Sequence, residues 1–372
     1  KKVLLSLVWI SQGNNLTCNI DDSLSKYTIQ GISVYNSSNI ARIIAGKLYD
    51  DGIVFLNGSQ IDLKVNTSDL ANVYELLSDI ITKIPDYMST FVPRIYDREV
   101  EFTYSLGNVA GRDQVSNGVY KVSGAPNNVL VTGHSEASYL KYSPLYVIFA
   151  CPVTPDITQG GQTTGYSIAR IYSEMRKNKI LKKLLSDVIN YGVLYIRNDI
   201  DINNENLTSI WNDVKYPSWQ KRFPDKTKKE ILSIFNGKNE YKRSLFAEDG
   251  TLHTEWLLPG FRENPINGEL VWFNQLFAMN GRYFDQYSVG GIKDIEYDKR
   301  PLHTKIGNGR ELTDEEYNEL YRIHENVRIK APWTNKMDIM VLNNFLYQHG
   351  RMPYNSNRGC IVSYGKSINM DN

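Results

Sequence analysis

From Ile40 to Leu48 the apolar residues Ile40, Ile43, Ile44 and Leu48 recur at helical spacing, and Asp50-Asp51-Gly52 closes the run before the unbroken apolar stretch Ile53-Val54-Phe55-Leu56. This pattern predicts helix, turn and buried strand. A second helix is predicted from about residue 68 to 82, with Leu70, Val73, Leu76, Leu77, Ile80 and Ile81 on one face and Pro85 just beyond its end. Short apolar runs at 118–122, 129–131 and 145–151, separated by Gly, Pro, Asn and Ser, make the stretch from about 100 to 150 strand-rich. One long helix is expected over 168–188, between Gly165 and Gly192.

Residues from about 198 to 242 are polar and Lys-rich with weak helical signals, and belong to a helical insertion of about 165–260. Further on, Thr313-x-x-Glu316 is a capping box that opens a helix, and strands are expected at 269–274, 327–331, 338–342 and 360–364. Strands on both sides of a helical middle favour an α+β chain with a mainly antiparallel β core over alternating βαβ units. The whole chain, 1–372, reads as one domain. The apolar start, Val3 to Ile10 after Lys1-Lys2, reads as a buried strand, with a short signal peptide as the alternative.

Composition narrows the function. The 372 residues carry 42 Lys plus Arg against 41 Asp plus Glu, a net charge of +1, so no global field draws the chain to nucleic acid or an anionic membrane. No apolar run approaches the roughly 20 residues of a membrane span. Three cysteines, Cys18, Cys151 and Cys360, are odd in number, widely spaced and without a CxxC, which argues against a disulfide framework and a thiolate zinc site and for the cytoplasm. Phosphate-binding glycine loops of the GxGxxG or GxxxxGK[ST] kind are absent, which sets aside dinucleotide and nucleoside-triphosphate chemistry.

Candidate chemistry begins at Gly133-His134-Ser135-Glu136. On an extended strand residues i and i+2 share a face, so the imidazole of His134 and the carboxylate of Glu136 would converge. His349 lies far downstream in His349-Gly350-Arg351. Two imidazoles and a carboxylate are the facial triad of non-haem Fe(II) oxygenases, which leaves three metal positions open. Gly160-Gly161-Gln162-Thr163 supplies a turn through which backbone can approach a ligand, and a hydroxyl to bond it. Arg358 offers a planar guanidinium suited to a carboxylate.

Together, His134-Ser135-Glu136, Gly160-Gly161-Gln162-Thr163 and His349-Gly350-Arg351-x-Pro353-Tyr354-x-x-x-Arg358 resemble the taurine dioxygenase and clavaminate synthase superfamily of Fe(II)/2-oxoglutarate oxygenases. Within that superfamily the likeness is to the syringomycin-cluster type of hydroxylase, whose motifs run in the same order. The resemblance implies a double-stranded β-helix, or jelly roll, with iron held by His134, Glu136 and His349. It also implies that Arg358 pairs with the distal carboxylate of 2-oxoglutarate and that Thr163 hydrogen-bonds to this co-substrate. Oxidative decarboxylation with O2 would release succinate and CO2 while a substrate C–H bond is oxidised. Because Glu136 is a carboxylate where related halogenases have a small residue, hydroxylation is expected over halogenation, with desaturation and ring formation left open. Two departures are visible: Asn343-Asn344 stands where Asp-Asn is common, and Met337 stands where Gly usually precedes Asp338.

The expected substrate is a small, amino-acid-derived or carrier-tethered molecule of specialised metabolism. Two rival readings are a non-catalytic metal-binding jelly-roll module and a zinc hydrolase, which would leave the GGQT segment and Arg358 unexplained. His253, His303 and His324 have no visible partners in the sequence, and Arg351 and Asn274 stay outside the firm candidate set.

Overall fold

The computed structural model describes residues 28–29, 36–60, 69–91, 99–100, 113–116, 118–122, 124–288, 290–365 and 367–369. The apolar start 3–10 and Cys18 lie outside them. The first predicted helix forms over Ser37–Asp51: the Asn36 side chain accepts the Asn39 N–H, and Gly52, at φ 71°, ends the helix by donating its N–H to the Leu48 carbonyl. The strand Ile53–Leu56 follows directly and is buried throughout.

The second helix, Leu70–Phe91, runs straight through Pro85 instead of stopping before it. Proline in a helix interior costs about 3 kcal/mol. Here the apolar face continues past it, with Ile84 and Met88 buried beside Val73, Leu77, Ile80 and Ile81, and that burial offsets the cost. The long helix expected over 168–188 is two helices, Ile168–Lys177 and Leu181–Tyr191. Asn178 breaks it, with extended backbone and a side-chain oxygen that accepts the Ile180 N–H.

Among the described residues the largest sheet runs in the order Thr28–Ile29, Ile53–Leu56, Ile339–Asn343, Tyr146–Val153, Gly359–Tyr364, Val119–Lys121 and Gln114–Ser116. Its pairings are antiparallel except the parallel first pair. The central strands are apolar on both faces because both are covered. Val54, Ile148, Ala150, Ile339, Val341 and Ile361 face the two N-terminal helices. Phe55, Phe149, Met340, Leu342 and Val362 face the other way, toward Ile329, Ala331 and Trp333.

That opposite face meets a second antiparallel sheet, ordered Arg328–Lys330, Thr163–Ser167, Tyr347–Arg351 and Val131–His134. A third sheet, Tyr241–Phe246, Leu252–Leu258, Val193–Asp199 and Leu302–Ile306, is also antiparallel. It shares a core with the helices from 168 to 191 and with Asp314–Val327, which opens on the predicted Thr313/Glu316 capping box. The segment 165–260, expected to be helical, therefore contributes three strands of this sheet as well as helices. Leu252–Leu258 alternates buried and half-buried positions regularly, but Thr254 holds one of the inward places, and Tyr241–Phe246 has no fully buried residue, so neither strand leaves an apolar run.

Cys151 and Cys360 correct another expectation. They lie on neighbouring strands and form a disulfide across 209 residues of sequence, a pairing that spacing could not reveal. Among the described residues no helix is long and apolar enough to cross a membrane.

Candidate active site

Strand register brings the distant histidines together. His349 lies directly opposite His134 in the second sheet, and their rings are 4.2 Å apart between centroids. Glu136 arrives differently from expectation. The strand ends at His134, and Glu136 follows in a turn whose next residue, Ala137, has φ 55°. The turn, not i/i+2 alternation, swings the carboxylate inward, so that Glu136 Oε2 is 3.4 Å from His349 Nε2. One side-chain ligand atom from each of His134, Glu136 and His349 lies within 4.8 Å of the other two.

Backbone and amide groups hold these side chains in place. His134 Nδ1 bonds to the Thr132 carbonyl at 2.9 Å, which puts the proton on Nδ1 and leaves Nε2 as a lone pair. Asn344 grips the Glu136 peptide from both sides: its Oδ1 accepts the Glu136 N–H at 2.7 Å, and its Nδ2 donates to the Glu136 carbonyl at 2.9 Å. The same Nδ2 also donates to the Pro144 carbonyl, and Gln275 Nε2 donates to the Ser135 carbonyl. Sequence reasoning missed both supports, although Asn343-Asn344 had drawn notice as a departure. A buried and a half-buried imidazole and a buried carboxylate converging on one point form a donor set that suits a divalent transition metal. His349 Nδ1 is enclosed without a protein partner.

A second cluster lies along the same sheet, where Arg351 pairs with Thr163 in the register of adjacent strands. Thr163 is buried and its Oγ1 accepts hydrogen bonds from Trp333 Nε1 (3.2 Å) and Arg358 Nη2 (3.3 Å), which leaves its own O–H available as a donor. Arg358 Nε donates to the Gly161 carbonyl at 2.8 Å. Gly160, at φ 93°, has no room for a side chain: a Cβ there would lie 1.8 Å from the Pro353 carbonyl oxygen. This close approach, with Gly161 N–H bonding to the Pro353 carbonyl, stitches the GGQT segment to the chain between His349 and Arg358.

Enclosure by protein and the like charge of Arg351 pull the Arg358 guanidinium down to about 9. Among the described residues no carboxylate pairs with it. An enclosed cation without a counter-charge is costly, and an anionic ligand would relieve that cost. Arg351, kept outside the firm candidate set, donates to the carbonyls of Ala125, Pro126 and Val129. Asn274 fixes a turn through Gly260 and Leu276.

The remaining histidines do have partners. His303 bonds to Glu311 and to the Gly281 N–H, His253 to Glu255 and Asn198, and His324 to Gln348 and the Leu320 carbonyl. Asn198, Gly281, Glu311 and Gln348 come from other segments of the chain, whereas Glu255 lies two residues along the same strand as His253 and Leu320 one turn before His324 in the same helix, so these last two were within reach of spacing.

On the His134 and Glu136 side opens a cavity of 140 Å³ lined by Tyr139, Tyr216, Tyr283, Tyr287 and Met279 among others. Thr163 and Arg358 are not part of its wall.

The donor set of the site, together with the family to which the chain belongs, makes this a Fe(II)- and 2-oxoglutarate-dependent dioxygenase. The chain belongs to the taurine catabolism dioxygenase TauD, TfdA family, whose model matches residues 28–363. It is 24% identical over 267 residues to the dapdiamide synthesis protein DdaC of Enterobacter agglomerans, covering 71% of this chain and 73% of that protein. Among solved structures it is similar to the PvcB protein of Pseudomonas aeruginosa, at 11% identity and a TM-score of 0.42 over 90% of this chain and 84% of that one. A taurine dioxygenase of Burkholderia xenovorans matches at 14% identity and a TM-score of 0.41, over 93% of this chain and 91% of that one.

Proposed function

We propose that this enzyme hydroxylates an unactivated C–H bond of a small amino-acid-derived or carrier-bound substrate in specialised metabolism. In this reading His134, Glu136 and His349 hold the iron, and the observation that carries it is their convergence within 4.8 Å from two strands and a turn. Iron supplies the activation of O2 that couples decarboxylation of 2-oxoglutarate, to succinate and CO2, with oxidation of the substrate. Arg358 pairs with the distal carboxylate of the co-substrate, and the Thr163 hydroxyl donates its free proton to it. Glu136 keeps a carboxylate on the metal, which favours hydroxylation, with desaturation or ring closure as alternative outcomes on the same centre.

The relative that takes part in dapdiamide synthesis supports a biosynthetic setting. The two facing sheets support a distorted jelly roll formed by a single oxygenase domain, 1–372, with about 165–260 inserted. A cytoplasmic location is kept, although the Cys151–Cys360 disulfide removes the cysteine argument for it, and nucleic acid has no place in this reading. Anaerobic addition of Fe(II) and 2-oxoglutarate should give the weak metal-to-ligand charge-transfer band of the chelate. Absence of that band, or a zinc-loaded protein that makes no succinate under any condition, would overturn the proposal in favour of a non-catalytic module.

A further inference from the structure

The helix Glu205–Asp213 ends in a reversal next to the cavity. Val214 donates its N–H to the Ile210 carbonyl, and Tyr216 donates its N–H to the Trp211 carbonyl, the wrap-around bonding of a helix terminus closed by a left-handed residue. Glycine is the usual occupant of that left-handed position. Here it is Lys215, at φ 65°. The left-handed conformation is disfavoured for a residue with a side chain, because its Cβ crowds the following carbonyl oxygen. Its geometric effect is to turn three consecutive residues, Val214, Lys215 and Tyr216, toward the same cavity, which neither a helix nor a strand would do.

Lys215 brings the one lysine or arginine to a wall otherwise made of tyrosines, aliphatic groups, Gln275 and the His134/Glu136 edge. It is exposed, and among the described residues no carboxylate lies within salt-bridge distance of it. A charge held at some conformational cost on the rim of an aromatic cavity, without a protein partner, suits an anionic ligand.

Resting on the oxygenase reading above, we infer that the substrate carries an anionic group, carboxylate or phosphate, that Lys215 meets at the cavity rim while an apolar body lies among Tyr139, Tyr216, Tyr283 and Tyr287. The co-substrate's own carboxylate is separate, because Arg358 and Thr163 lie outside this wall. Lys215 is thereby a specificity-determining residue.

The test is calorimetric titration of the protein loaded with Fe(II) and 2-oxoglutarate under argon, using 3-phenylpropanoate, 3-phenylpropanamide and 3-phenylpropylamine as probes. The acid should bind about three- to tenfold more tightly than the amide, and the amine should bind most weakly. Lys215→Ala should erase the difference, Lys215→Arg should keep it and Lys215→Glu should invert it. Lys215→Gly, which suits the left-handed position, should melt no lower than wild type and still lose the preference, which separates recognition from folding. Phosphopantetheine serves as the phosphate arm: a larger loss of its affinity than of the acid's in Lys215→Ala identifies phosphate as the anion, and the reverse identifies carboxylate. Equal binding of the three phenyl probes, no binding of any probe, or an acid preference that survives Lys215→Ala overturns the inference. Formation of the charge-transfer band before any probe is added reports on the oxygenase reading by itself, so the two failures are distinguishable.

Discussion

The metal-facing cluster and the cavity beside it are built on opposite principles. His134 and His349 are neighbours in a sheet ladder, so their separation is set by strand spacing, and Glu136 is locked by two hydrogen bonds with Asn344, which a third ties to the Pro144 carbonyl. Away from its His134/Glu136 edge the cavity wall is assembled instead from a helix terminus at 214–216, a turn at Tyr139 and the two-turn 3-10 helix Gly281–Gln286 with Tyr287 after it. The difference teaches where variation can enter this molecule. A change in the ladder disturbs every ligand atom, whereas a change in the wall alters which molecule is admitted and leaves the chemistry in place.

Removing a ladder ligand should give the largest effect: His349→Ala and Glu136→Ala are each expected to abolish succinate release coupled to substrate, while far-UV circular dichroism stays native. Near-normal turnover in either would mean that the cluster is not the metal site. Gly160→Ala comes next, since its Cβ would collide with the Pro353 carbonyl. Loss of both 2-oxoglutarate binding and several degrees of thermal stability is expected, read by the charge-transfer band and by melting. Arg358→Ala should raise KM for 2-oxoglutarate about ten- to a hundredfold, matching the roughly 1.5–3 kcal/mol of a charged hydrogen bond, with a smaller change in kcat. An unchanged KM would move the co-substrate's carboxylate elsewhere.

Asn344→Ala touches no ligand atom, yet it should weaken Fe(II) affinity by about ten- to a hundredfold by freeing the Glu136 peptide, as seen in anaerobic metal titration. Wild-type affinity in that variant would show that the turn at Ala137 positions Glu136 unaided. The smallest kinetic effect is expected furthest away. Pro85→Ala should raise stability, by up to about 3 kcal/mol, with kinetics unchanged, because the N-terminal helices cover the face of the main sheet that points away from the cluster.

Much of the core was legible in sequence because burial leaves a periodic trace. Ile53–Leu56, Ile339–Asn343 and the capping box at Thr313 were all announced by apolar runs or by a cap. The break at Asn178 and the continuation through Pro85 were not, since each depends on what packs against the helix. The strands Tyr241–Phe246 and Leu252–Leu258 of the third sheet were likewise missed, since neither carries an apolar run and the sheet is joined by partners up to 113 residues apart, as in the Val193–Ile306 pairing.

For the site, residue types were readable and their delivery was not. The sequence by itself determined the chemistry on offer: imidazoles and a carboxylate at His134, Glu136 and His349, a hydroxyl and a guanidinium at Thr163 and Arg358, and a near-neutral charge. Only the tertiary structure decided that Glu136 enters through a turn, that Asn344 clamps it, that Arg351 binds carbonyls and that Cys151 meets Cys360. The physical reason is that donor chemistry belongs to a side chain, whereas distance belongs to strand register and turn geometry, which pair residues hundreds of positions apart.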